Sequence, residues 1–194
     1  MGGSDFWHSD LSYLPLPAYC TLLYALEIPK ETSRGNTQFI NMQRAYDTLP
    51  EKSKKFYATL SAVHNIGHNN GFPIDKYEAN ESPTPDDATH PLIRVHPVNG
   101  RKVVYANPAY TFRVVEAETN NELANSDEIL EELFDHCISA NYVFEHEWNV
   151  GDLLIWDNVS LIHRATTIDL EDGLRREMLR CCCICQDSPI AANK

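Results

Sequence analysis

His8-Ser-Asp10 places an imidazole and a carboxylate two residues apart near the start of the chain. Residues two apart in an extended strand face the same way, so this pair could grip one metal ion. A third histidine from a distant strand would complete a two-histidine, one-carboxylate set. Such a set leaves three neighbouring positions open on iron for a bidentate co-substrate and dioxygen. By itself the triplet is weak evidence, because short polar triplets are common. Arg176 and Arg180 stand four residues apart, so in a strand they would also share a face. A planar guanidinium holds a carboxylate through two hydrogen bonds. Taken alone, these arginines equally suit a solvated strand.

Charge makes the arginines stand out. Lys+Arg 16 against Asp+Glu 28 gives a formal net charge of −12, a field that repels nucleic acid and anionic membrane. An anionic substrate would have to be captured by a local cation working against that field. No run of apolar residues reaches the length of a membrane span. The opening Met-Gly-Gly-Ser-Asp-Phe-Trp lacks a basic n-region and an apolar h-region, so the expectation is a soluble, cytoplasmic chain. The six cysteines, Cys20, Cys137 and the group Cys181, Cys182, Cys183 and Cys185, read as reduced, small strand residues.

The elements that must position these groups follow from periodicity. At 194 residues with 43% hydrophobic content, one domain with a proper core is expected. Tyr19–Ile28 reads as a buried strand and 30–36 as a loop. Thr48 and Glu51 have the form of a capping box, predicting a helix from about Pro50 to Ala62. Gly67–Thr89, rich in Asn, Pro, Asp and Gly, reads as a long loop. Val103–Ala106 and Phe112–Val115 are short strand candidates. Asn125 and Glu128 form a second capping-box candidate. Behind them Ile129, Leu130, Leu133, Phe134, Cys137 and Ile138 give the clearest amphipathic helix in the chain. Val143–Trp148, Asp152–Trp156 and about Arg176–Cys185 read as strands. Strands at both ends with helices between them predict an α+β protein built on a β-sandwich or barrel.

Several short segments then occur in a particular order. They are Trp7-His-Ser-Asp-Leu-Ser-Tyr13, Gly35-Asn-Thr37, Ala45-Tyr-Asp-Thr-Leu-Pro50, His90-Pro-Leu-Ile-Arg-Val-His-Pro97, Tyr105-Ala-Asn107, Gly151-Asp-Leu-Leu-Ile-Trp-Asp-Asn158, His163-Arg-Ala165 and Arg175-Arg-Glu-Met-Leu-Arg180. This series resembles the TauD/TfdA family of Fe(II)- and 2-oxoglutarate-dependent dioxygenases over nearly the whole chain. The resemblance implies a mainly β fold of class α+β, a double-stranded β-helix (jelly-roll, cupin-like) core with inserted helices. It implies that His8, Asp10 and His163 hold Fe(II), that Arg176 pairs with the distal carboxylate of 2-oxoglutarate, and that the Thr37 hydroxyl supports the same co-substrate. Arg180, Tyr110 and Leu11 fall on the substrate side, and Trp156 falls close to the iron. His64, His68, His90, His96, His136 and His146 take no role and read as surface or capping residues.

The implied activity is hydroxylation of a small, anionic organic substrate such as a sulfonate, phosphonate or carboxylate. Dioxygen is consumed, and succinate and CO2 are released. Halogenating relatives lack the carboxylate that Asp10 supplies, which favours hydroxylation. Two features depart from the family pattern. Asn36 stands where an acidic residue usually precedes the threonine, and the first ligand is residue 8, whereas the family carries a substantial portion before it. A chain shortened in that way would expose a sheet edge and apolar surface, which a homo-oligomer or another chain could cover. Two other readings stand beside hydroxylation. One is a non-catalytic or fragmentary family member acting as a metal-binding or interaction protein; the other is a hydrolytic zinc enzyme using the same ligands.

Overall fold

The computed structural model describes residues 5–29, 35–68, 87–139, 142–166 and 175–184. Its strands are β1 (Cys20–Glu27), β2 (Thr37–Asn41), β3 (Leu60–His64), β4 (Ala88–Pro91), β5 (Ile93–Val95), β6 (Lys102–Val104), β7 (Thr111–Glu116), β8 (Val143–His146), β9 (Leu153–Asp157), β10 (Leu161–Ala165) and β11 (Glu177–Cys183). Among the described residues three α-helices interrupt them, α1 (Met42–Thr48), α2 (Glu51–Tyr57) and α3 (Ser126–Cys137), with a short 3-10 turn at Ile66–His68. The described strands pair antiparallel throughout, in the orders β11-β1-β9, β10-β2-β8, β4-β3-β7 and β5-β6. The fold is thus mainly β with a few helices. Among the described residues no helix is long and apolar enough to cross a membrane.

The predicted helix from Pro50 to Ala62 is half right. It stops at Tyr57, and Leu60-Ser-Ala-Val-His64 becomes β3, flanked by β4 and β7 and buried at every position. Long-range pairing on both edges outweighs local helix spacing there. The capping box also fails. Thr48 closes α1, a helix that periodicity did not reveal, by bonding back to the carbonyls of Arg44 and Ala45, and Pro50 takes the N-cap of α2. Asn125 does precede α3, but its side chain makes no capping bond. Most of Gly67–Thr89 lies outside the described residues, although Ala88 and Thr89 open β4.

The core gathers Ile40 and Met42 from the β2–α1 junction, Leu92, Val103, Val104 and Val114 from the sheets, and the inner face of α3. Ile129, Leu130, Leu133 and Cys137 of that face are buried, each large apolar side chain contributing about 1.5–3 kcal/mol. Asn41 caps α1 by accepting from the amides of Gln43 and Arg44, which turns the chain sharply out of β2.

A buried polar cluster corrects the reading of His64 and His90 as surface residues, for both are buried; His96 is buried too, but its Nδ1 accepts from the amides of Val98 and Asn99 and so caps a turn, as expected. His90 Nε2 donates to the carbonyls of Ser12 (3.0 Å) and Leu14 (3.1 Å), pinning the segment that follows Asp10. The Arg94 guanidinium lies over the Tyr105 ring, and the His64 and His90 rings meet edge to face. Burial, aided by the Arg94 charge, pushes His90 down to about 4.

That shift predicts a pH dependence of stability. A histidine depressed in the fold binds its proton in the unfolded chain first, so its stabilisation is complete above pH 6.5 and is lost as pH falls from there towards 4. Between pH 6.5 and 5 the loss should be about 2 kcal/mol. Urea unfolding at several pH values should show a shallower acid slope for His90→Gln than for the native chain. Equal slopes would mean that His90 does not carry the effect.

Candidate metal centre

A two-residue bridge builds the centre. The His8 amide donates to the His163 carbonyl (3.0 Å) and the His163 amide to the His8 carbonyl (2.8 Å). This places the imidazole rings side by side, with centroids 4.2 Å apart. His8 Nδ1 faces the Phe6 carbonyl at 2.8 Å. A carbonyl can only accept, so Nδ1 carries the proton and Nε2 keeps its lone pair for the centre. The Nε2 atoms of His8 and His163 each lie 3.6 Å from the same oxygen, Asp10 Oδ1. All three residues are buried, and their ligand atoms fall within 4.8 Å of one another. Among the described residues this is the one group of three or more His, Cys, Asp or Glu side chains so arranged.

The surroundings of Asp10 and His163 favour the protonation states a cation needs. Burial would raise the Asp10 carboxyl, but the neighbouring imidazoles and the Arg180 guanidinium outweigh it and hold the group well below the usual carboxylate range. Burial, reinforced by His8, drives His163 well below its usual range, so its ring stays neutral. Two neutral imidazoles and one carboxylate are the donors of a facial divalent-metal site. Cis ligands on such an ion stand about 3 Å apart, given metal–nitrogen bonds near 2.1 Å. The spacing here would need to tighten only slightly, so the residues fit a metal ion. His163 Nδ1 is buried without a hydrogen-bond partner; its ring lies against Trp156 (4.8 Å) and Phe39 (6.0 Å).

Behind the ligands stands a polar clamp that sequence reasoning missed. Thr21 of β1 donates to Asp10 Oδ2 at 2.6 Å. The Asn158 carboxamide oxygen accepts from Trp156 Nε1 (3.1 Å) and the Asp10 amide (3.3 Å), while its Nδ2 donates to Thr21 Oγ1 (2.9 Å). Ser9 donates to the Asn158 carbonyl at 2.7 Å. A threonine inside an apolar strand carries no distinguishing signal. Asn158 had one, as the end of the Trp-Asp-Asn segment, but no role was assigned to it.

The remaining candidates are placed as follows. Thr37 is buried on β2, two residues from Phe39 and so on the same face; Phe39 sits directly opposite His163. The Thr37 hydroxyl accepts from Trp148 Nε1 at 3.0 Å. Asn36, where the family pattern has an acid, donates to Glu145 of β8 at 2.7 Å. Arg176 lies just before β11, half-buried, with burial lowering its proton affinity. Arg180, on β11, donates to Asp10 Oδ1, and its side chain is 50% exposed. Burial works against its charge, but Asp10 outweighs it and raises its proton affinity. Tyr110 stands edge-on to His8 at 6.0 Å and packs with Tyr13, Ile66, Ala109, Leu11 and Leu14. Leu11 holds a positive φ of 56°, which a leucine adopts only under constraint; the bonds of His90 to Ser12 and Leu14 supply it.

Comparison with known proteins supplies the context. The family model of the taurine catabolism dioxygenase TauD, TfdA family matches residues 2–182. An alpha-ketoglutarate-dependent 2,4-dichlorophenoxyacetate dioxygenase from Burkholderia sp. (strain RASC) is 33% identical over 178 residues, covering 91% of this chain and 57% of that protein. Pentalenolactone F synthase from Streptomyces avermitilis is 31% identical over 176 residues, covering 84% of this chain and 56% of the synthase. Among solved structures, AAD-2 in complex with Mn(II) and N-oxalylglycine superposes with a TM-score of 0.75 at 26% identity, covering 95% of this chain and 70% of that one. A taurine dioxygenase from Burkholderia xenovorans gives a TM-score of 0.74 at 27% identity, covering 92% of this chain and 56% of that one. The chain therefore spans a little over half the length of the curated relatives it matches.

Proposed function

The chain belongs to the taurine catabolism dioxygenase TauD, TfdA family, and from that membership we propose an Fe(II)- and 2-oxoglutarate-dependent hydroxylase of a small anionic organic substrate, built as one catalytic unit on a jelly-roll core. The observation that carries this reading is the convergence of two imidazole Nε2 atoms on one buried carboxylate oxygen, each at 3.6 Å. The curated relatives act with alpha-ketoglutarate, and a structural neighbour holds Mn(II) together with N-oxalylglycine.

In this reading His8, Asp10 and His163 hold the metal. Bound Fe(II) with 2-oxoglutarate and dioxygen supplies the oxidising equivalent, with succinate and CO2 as products. The protein's own part is orientation and exclusion of water. Thr21 and Asn158 fix the Asp10 carboxylate, the Phe6 carbonyl fixes the His8 tautomer, and Phe39 and Trp156 close the site behind His163. Arg176 and Thr37 take the far carboxylate of the co-substrate. Arg180 shares the Asp10 oxygen on which the histidines converge; were Asp10 engaged by a metal, the half-exposed guanidinium would be free to meet a substrate anion. Tyr110, Leu11 and their apolar neighbours then hold the substrate's body, which favours an acid with an apolar portion.

Arg180→Ala should therefore raise the substrate KM by about tenfold to a hundredfold, the worth of a charge-assisted hydrogen bond, and leave the 2-oxoglutarate KM within twofold. Equal loss of both would end this division of labour.

A second reading, a metal-holding family member that works through a partner, draws on the outer face of the β11-β1-β9 sheet, where Leu153, Ile155 and Leu179 are each more than half exposed. Anaerobic visible absorption after adding Fe(II) and 2-oxoglutarate separates the two. A charge-transfer band that vanishes in His163→Ala supports the hydroxylase; a folded chain without the band supports the partner-bound protein.

A further inference from the structure

The thiols near the end of β11 form a site that the proposed reaction does not use. Cys20 of β1 lies directly opposite Cys183 of β11 in an antiparallel pair. Opposed residues of such a pair have Cα atoms about 4.5–5.5 Å apart, inside the 4.4–6.8 Å window that a disulfide spans. Both side chains project to the same face of the sheet and both are partly solvent-accessible. The Cys20 thiol is the foremost influence on Cys183 and raises its proton affinity.

We infer that Cys20 and Cys183 are a cross-strand disulfide site, closed by a peroxide and reopened by a thiol reductant. One thiolate of the pair attacks the peroxide: a sulfur–oxygen bond forms, the oxygen–oxygen bond breaks, and hydroxide leaves. The second thiolate then attacks the sulfenic sulfur. The sulfur–sulfur bond forms as the sulfur–oxygen bond breaks, and a second hydroxide leaves. With the two thiol protons the balance is two thiols and one hydrogen peroxide giving one disulfide and two waters.

The neighbouring cysteines are poor alternatives for geometric reasons. Cys182 points to the opposite face, where Thr21 Oγ1 approaches its sulfur at 3.5 Å. Cys181 shares the outer face with Cys183 and its thiol acts on that of Cys183, lowering its proton affinity, but it lies two residues along the same strand, about 6.6 Å away with a parallel Cβ vector that does not suit a disulfide. Its cross-strand partner is Leu22. The link would fasten β11, which carries Arg180, to β1, which carries the Asp10 clamp residue Thr21.

The test is peptide mapping without reductant after the folded chain has been treated with hydrogen peroxide, paired with a free-thiol count. The native chain should lose two thiols without dimerising and yield one linked product joining the Cys20 peptide to the peptide that begins at Cys181. The link should disappear in Cys183→Ser and in Cys20→Ser, persist in Cys181→Ser and Cys182→Ser, and reopen with dithiothreitol. Near-ultraviolet circular dichroism before treatment checks that each variant is folded. A link that survives Cys183→Ser, intermolecular dimers in its place, or conversion of Cys20 to sulfinic acid without any link would overturn the inference.

Discussion

Asp10→Ala should lower turnover in the proposed hydroxylation by about a hundredfold to a thousandfold, the scale on which removal of a single group that stabilises developing charge is felt. The loss has two sources. The variant forfeits one of three ligands, and it also leaves the Arg180 cation facing two neutral imidazoles with no carboxylate between them. A divalent ion would then enter a positive field instead of one in which Asp10 balances Arg180. Fe(II) titration followed by absorption, together with succinate release, reads both effects. The fold should survive, because the Arg180 side chain is half exposed and can turn to water. Asp10→Asn separates charge from shape: it keeps an oxygen for Thr21 but removes the anion, and it should fall nearly as far as the alanine variant. Succinate formation within tenfold of the native chain in either variant would remove Asp10 from the ligand set.

Arg176→Ala should raise the 2-oxoglutarate KM by about a hundredfold to a thousandfold, as expected when a charge-assisted, two-pronged carboxylate contact worth about 3–4 kcal/mol is lost from a partly buried place. Burial matters to the size of this effect. Arg176 is half-buried and burial lowers its proton affinity, so the guanidinium lacks part of its hydration and gains more from a carboxylate than a surface arginine would. Arg176→Lys keeps the charge but not the fork and should fall between native and alanine. Titration of the anaerobic charge-transfer band with 2-oxoglutarate gives the affinity directly. The Arg180→Ala chain measured alongside should show an unchanged midpoint, and a band that forms equally well without Arg176 would move the co-substrate elsewhere.

Both variants probe positions that ordinary residue spacing makes visible. The strand repeat that suggested their pairing is not what brings His8 and Asp10 together: His8 forms a lone bridge to His163 and Asp10 lies in the turn that follows, while Arg176 precedes β11, which carries Arg180. Apolar patterning shows β1, β7, β9, β11 and the inner face of α3 to within a few residues.

What spacing does not contain is the partner across the sheet. Leu60–His64 looks like the end of a helix until β4 and β7 close on both its edges. His64 and His90 look like surface residues until the chain folds over them, because nothing in a histidine's neighbours along the chain says whether water will reach it. Thr21 and Asn158 are separated by 137 positions, yet they meet at 2.9 Å around one carboxylate. The amino-acid sequence by itself determined which residue types are available to a metal and a carboxylate, and that His8 and Asp10, like Arg176 and Arg180, are close along the chain. Only the tertiary structure decided that His163 bridges His8, that Thr21 and Arg180 flank Asp10, and that Cys183 faces Cys20. The physical reason is that residue type and nearness along the chain are local, whereas apposition follows from burial and pairing summed over the whole chain.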